Sequence, residues 1–153
     1  MSGHETGGER PSPPSPYEES DFSQDGRNPW ALQQVQSDIA RLTQELGPLH
    51  PKIAETWNSL GLIRLHVQNM IPAAIKCHEE ALFIYRNNPN ENCLAIAATL
   101  NDLGRCYERI EDTARALEVY QEAECLIERK ESTGTFRCLL LSVRHAIARI
   151  QRA

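Results

Sequence analysis

The chain has 153 residues, of which 41% are hydrophobic, 24% charged and 6% aromatic. That is enough apolar material for one packed domain but thin in aromatics for a β-sandwich, and it excludes collagen-like or wholly disordered chains. A formal net charge of −5 gives a long-range field of the wrong sign for wrapping duplex nucleic acid or lying on an anionic membrane.

Residues 1–28 concentrate the loop-formers, with Gly3, Gly7, Gly8, Pro11, Pro13, Pro14, Pro16 and Gly26 among polar neighbours, so this segment is expected to be a disordered acidic tail. Its six acids and two bases hold most of the net charge, leaving the rest of the chain near neutral. The tail lacks a secretory apolar core, and no stretch of the sequence approaches the length a membrane span needs, which predicts a soluble, cytoplasmic protein. Five cysteines, Cys77, Cys93, Cys106, Cys125 and Cys138, are odd in number and contain no C-x-x-C pair, so reduced thiols are expected rather than a disulfide framework or a zinc site.

From residue 29 to 153 the pattern is helical. Leu32, Val35, Ile39, Leu42 and Leu46 recur at steps of three and four, which places them on one face of a first helix bounded by Asn28-Pro29 and Gly47-Pro48. The next four helices form an internal repeat. I-A-E-T-W-N-S-L-G from Ile53 to Gly61 matches I-A-A-T-L-N-D-L-G from Ile96 to Gly104 at six of nine positions. The offset is 43 there and 42 further on, where Ala74, Ile75, His78 and Ala81 align with Ala116, Leu117, Tyr120 and Ala123, so one extra residue is expected in the turn of the first unit near Asn69 to Pro72. Repeat 1 is therefore expected over about 52–87 and repeat 2 over about 94–130, each a helix–turn–helix, with Pro72 and Asp112 as helix starts.

A glycine inside a helix costs about 1 kcal/mol relative to alanine. Gly61 and Gly104 at the same register of two helices therefore imply close approach, with Ala74, Ala81, Ala116 and Ala123 as the small faces on the partner helices. A final helix over about 136–152 carries Leu139, Leu140, Val143, Ile147 and Ile150 beside four arginines and no acid. It reads as a cap over the last repeat, with its arginine face as an alternative site for an acidic partner or nucleic acid.

The pattern W-x-x-L-G-x-x-Y followed by A-x-x-x-F-x-x-A resembles the tetratricopeptide repeat. The first unit supplies Trp57, Leu60, Gly61, Ala74 and Ala81, with Arg64 and His78 at the two aromatic positions. The second supplies Leu100, Leu103, Gly104, Tyr107, Ala116, Tyr120 and Ala123. The departures at Arg64 and His78 predict a more polar seam in the first unit. The longer period and L-G-P-L-H-P-K-I-A-E-T-W-N-S-L-G from Leu46 to Gly61 are similar to the repeats of kinesin light chains. The resemblance implies an all-α, right-handed α-solenoid with an N-terminal packing helix and a C-terminal capping helix. It also implies that the first helix of each repeat lines a concave peptide-binding groove.

On those first helices, helical spacing selects Glu55, Asn58, Ser59, Leu62 and Leu65, then Asn101, Asp102, Arg105 and Arg109, as candidates to hold a protein or peptide partner. Asn58 and Asn101 would bracket its backbone unless they serve hydrogen bonds inside the solenoid. The expected activity is that of a protein-binding adaptor, with a nucleic-acid-binding solenoid using the last helix as the alternative. Self-association through an exposed flank is a secondary expectation. Phosphate loops, H-E-x-x-H, G-x-S-x-G and C-x-x-C motifs are absent from the sequence, so no catalytic residue, cofactor or metal ligand is assigned. His50 reads as a turn or capping residue, and Cys77-His78 as packed side chains rather than a thiol–imidazole pair.

Overall fold

The computed structural model describes residues 29–66, 69–130 and 136–153. The Pro-rich tail expected over 1–28 lies outside the described residues. Six helices follow in order: α1 (Pro29–Leu46), α2 (Pro51–His66), α3 (Ile71–Arg86), α4 (Cys93–Arg109), α5 (Thr113–Lys130) and α6 (Arg137–Arg152).

Local chemistry sets the boundaries. Gly47, at φ 85°, ends α1, and its amide donates to the Thr43 carbonyl at 3.1 Å. His50 then caps α2, its Nδ1 accepting from the Lys52 amide at 3.2 Å. Proline stands in the first turn of α3. The Asp112 carboxylate accepts from the Arg115 amide at 3.1 Å to start α5.

The two inter-helix turns are built alike. Asn69 (φ 50°) and Glu111 (φ 61°) both sit in the left-handed region, 42 residues apart. The Met70 amide closes the first turn on the Arg64 carbonyl, six residues back, and the Asp112 amide closes the second on Tyr107, five residues back. The extra residue of the first repeat thus falls between Arg64 and Asn69, ahead of the Asn69–Pro72 stretch to which the sequence offset assigned it.

α2 packs against α3 and α4 against α5 as two hairpins, and α3 stacks on α4 to join them. α1 covers α2 from one end and α5 carries α6 at the other, while α2 also touches α4 directly. One continuous core runs from Ile53 and Ala54 in α2 through Leu100, Leu103, Tyr120 and Ile127 to Leu140, Val143 and Ile147 in α6, with Ile39 and Leu42 of α1 packed against it. The architecture is an all-α helical-repeat solenoid.

Ala74, Ala81, Ala116 and Ala123 are completely buried, as small contact faces should be. The glycines, however, do not serve those alanines. A Cβ on Gly61 would stand 2.7 Å from the His78 ring, and one on Gly104 would stand 2.5 Å from the Tyr120 ring. Each glycine is the seat of the ring at the equivalent position of the second helix.

In the second repeat that ring is anchored. The Tyr120 hydroxyl donates to Glu108 Oε1 at 2.6 Å, and Arg149 of α6 donates to the same carboxylate at 2.8 Å. Burial and the adjacent Glu108 carboxylate push the Tyr120 hydroxyl well above its ordinary pKa. One carboxylate therefore ties α4, α5 and α6 together. Tyr120→Phe is expected to cost about 1 kcal/mol, because Glu108 keeps its arginine, whereas Glu108→Ala removes the shared acceptor and should cost about 1–3 kcal/mol. Urea midpoints of the two variants check the order.

Candidate functional site

The candidate residues sit on α2 and α4, the first helices of the two repeats. Glu55 and Ser59 of α2 are exposed and Leu62 is half-buried. On α4, Asn101 and Asp102 are half-buried, while Arg105 and Arg109 are exposed. The structure brings these side chains onto adjoining helices that touch each other directly.

Two candidates turn inward. Leu65 is 1% exposed and packs with Ala74 and Cys106 beneath the surface, so it belongs to the core rather than to a binding face. Its neighbour at the i−3 position, Leu62, keeps the half-open place. Asn58 is half-buried and both ends of its amide are engaged. Its Nδ2 donates to Thr99 Oγ1 at 2.6 Å, and its Oδ1 lies 3.0 Å from His78 Nδ1. Thr99 in turn donates to the Ala95 carbonyl at 2.7 Å.

The direction of the chain follows from those partners. Asn58 uses its N–H on Thr99, so its oxygen must accept from His78, which places the imidazole proton on Nδ1. Nε2 then faces the core with no hydrogen-bond partner. A second proton there would be a charge without an acceptor in a fully buried ring, and burial pushes the His78 pKa down to about 4. The polar seam that the sequence placed in the first repeat is therefore a hydrogen-bonded relay across α2, α3 and α4. Beside it, Arg64 makes a separate polar contact, its half-buried guanidinium donating to Cys77 Sγ at 3.3 Å.

The exposed side of α2 and α4 has a graded polarity. Lys52 and Glu55 pair at 3.3 Å near the N-terminus of α2. His66 is exposed at its other end, and Arg105 lies 3.6 Å from Asp102 on α4. Burial raises the Asp102 carboxyl above the usual range, while the Arg105 guanidinium acts in the opposite sense. Arg109 donates to Asn69 Oδ1 at 3.2 Å and ties the end of α4 to the turn of the first repeat. Lys52–Glu55 and Asp102–Arg105 are pairs at helical spacing, whereas sequence spacing had no signal for the Arg109–Asn69 contact, which joins residues 40 positions apart.

Two of the four arginines of the last helix serve packing within the array rather than the alternative of a free basic face. Arg144 bridges Glu124 at 2.7 Å and Glu128 at 2.5 Å on α5, and Arg149 reaches Glu108 on α4. These pairs fix α6 against the array.

Cys77, Cys93 and Cys106 are buried and Cys125 and Cys138 exposed, all as free thiols. Burial pushes the Cys106 thiol up to about 11 and raises Cys77 as well, which keeps both protonated and unreactive at neutral pH. Among the described residues no group of His, Cys, Asp or Glu is arranged to hold a metal ion, and no helix is long and apolar enough to cross a membrane.

No curated protein matches the chain. The family model of the tetratricopeptide repeat matches residues 52–124, and the match supports assigning the α2–α5 hairpins to a tetratricopeptide repeat protein.

Proposed function

We propose that the chain is a protein-binding adaptor that receives a peptide or partner segment on the face formed by α2 and α4. Tetratricopeptide repeats are a non-catalytic repeat family whose general role is protein–protein interaction. The observation that carries the choice of face is the direct contact of α2 with α4, whereas α3 and α5 are linked by the long side chains of Arg86 and Glu122. Helices that touch on one side of a stack and stand apart on the other curve it toward the touching side, so α2 and α4 line the inner surface.

Leu62 offers that surface an apolar contact, with Ser59, Asn101 and Arg105 as donors around it. Asn58 acts behind them as a support, because its amide is committed to Thr99 and His78. The likeness of Leu46–Gly61 to kinesin light chain repeats is a second support for this choice of face and carries none of that family's cargo to this chain.

Peptides selected from a random library on the full chain should lose binding at least tenfold to a Leu62→Asp, Arg105→Glu double variant with unchanged helicity. The same peptides should retain binding to Phe83→Asp, a substitution at an exposed side chain on α3. Equal loss by both variants, or by neither, overturns the assignment of the face.

A further inference from the structure

The cap over the last repeat has the register of a third repeat's first helix. Leu140, Val143 and Ile147 stand 44 residues after Ile96, Thr99 and Leu103, and all six are buried. α6 packs on α5 as α4 packs on α3, and where α4 touches α2 directly, α6 reaches α4 through the Arg149–Glu108 ion pair. At the same offset, the buried row Ala97, Leu100, Gly104 and Tyr107 of α4 becomes Leu141, Arg144, Ala148 and Gln151. In α4 this row holds the second helix of the hairpin, with Gly104 seating Tyr120. In α6, Leu141 is 62% exposed, and Ala148, at the position of that glycine, lies in an open depression shared with His145, Arg149 and Arg152.

The other end of the array is complementary. α1 covers α2 in the manner of a second helix, as α3 covers α4, with Ile39 and Leu42 turned to the core. Leu32 and Val35 stay half-exposed along the same helix. One end thus presents a first-type helix with an open hairpin face, and the other presents a second-type helix.

The two ends also differ in charge. Residues 1–46 contain eight acids and three bases, six of the acids before residue 29, while α6 has four arginines and no acid; Arg144 and Arg149 pair with glutamates of α5 and α4, so the complementarity rests on Arg137 and Arg152. We infer that copies of this chain associate head to tail, α1 of one copy docking on the Leu141–Ala148 row of α6 in the next to complete a third hairpin. This goes beyond the adaptor reading, uses a different surface from the α2–α4 face, and stands or falls separately from it.

Such a contact is heterologous: each copy gives one surface and receives the other, so assembly continues until it is blocked. The test exploits that asymmetry with the full chain in sedimentation equilibrium at low salt. The wild-type mass should rise with concentration above the 17.3 kDa monomer and fall back as salt screens the opposed charges.

Leu141→Glu blocks one surface and Val35→Lys the other, so each variant should be monomeric by itself. Their equimolar mixture should form a discrete dimer at twice the chain mass, because one intact surface of each kind remains. Far-UV circular dichroism verifies folding, and Arg152→Glu, a reversal at an exposed position, should weaken association at least severalfold even if Val35→Lys fails to fold. A wild-type mass that stays monomeric at several hundred micromolar overturns the proposal, and so does either folded single variant that self-associates like the wild type. The first result leaves α6 for a helix of another protein, and the second indicates a symmetric contact.

Discussion

Gly104→Ala is expected to destabilise the protein by about 1–3 kcal/mol, although the same change in an exposed helix would gain about 1 kcal/mol. The reversal comes from the Tyr120 ring, whose nearest atom stands 2.5 Å from where the new Cβ must go. The ring has no easy retreat, because it is fully buried and its hydroxyl is held by Glu108, which Arg149 holds in turn. Gly104→Leu adds still more volume at the same point and should cost about 3 kcal/mol or more, a large part of the roughly 5–15 kcal/mol of an ordinary domain. A double-mutant cycle separates this mechanism from general intolerance of the site. In a Tyr120→Leu background the obstructing ring is gone, so Gly104→Ala should become neutral or gain up to about 1 kcal/mol. Urea denaturation followed by far-UV circular dichroism measures all four corners. Equal costs of Gly104→Ala in both backgrounds would disprove the ring-seat account.

That pairing marks where sequence reading stops. The helix limits were legible because they are local: Pro29, Gly47, Pro72 and Asp112 act on backbone within a turn or two of themselves, and the structure places helix ends beside each of them. The repeat was legible because Gly61 and Gly104 recur with the same neighbours. What each glycine faces was not, because the alanines and the ring of the second helix recur at the same register and a pattern alone cannot divide the contact between them. Leu65 shows the same limit in the candidate site. It shares a helical stripe with Leu62, and only the position of Cys106 on the neighbouring repeat decides that one leucine is covered and the other is left half-open. Asn58 was ambiguous for a chemical reason, since an amide suits a peptide backbone and an internal network equally well. Thr99 and His78 resolve it, from 41 and 20 residues away. The sequence supports α6 as a cap and leaves its arginine face as an alternative site, because the glutamates that take Arg144 and Arg149 lie on other helices.

Acidification between about pH 6.5 and 4 is expected to remove about 3 kcal/mol of stability through His78 alone. In the unfolded chain this imidazole titrates at its ordinary value near 6.5, while in the folded chain burial holds it near 4. Between those values the unfolded chain binds a proton that the native state refuses, so the contribution is whole above about pH 6.5 and is lost as the pH falls toward 4, at about 1.4 kcal/mol per unit. The cause is structural: Nδ1 is committed to Asn58 and Nε2 has no acceptor, so the imidazolium has nowhere to place its second N–H. Asp102 works in the opposite direction, because a carboxyl raised by burial is relieved when it takes up a proton. The decisive measurement is therefore the difference between wild type and His78→Phe over this range, not the acid sensitivity of either one. The phenyl ring keeps the aromatic shape beside Gly61 but has no proton to refuse, and it leaves Asn58 Oδ1 without its donor. At neutral pH the variant should lie within about 1–3 kcal/mol of wild type, and below pH 6.5 the gap should shift steadily in its favour. Parallel stability curves across that window would show that His78 charges as readily in the folded chain as in the unfolded one, and a side-chain NMR titration of this residue near its ordinary value would show the same.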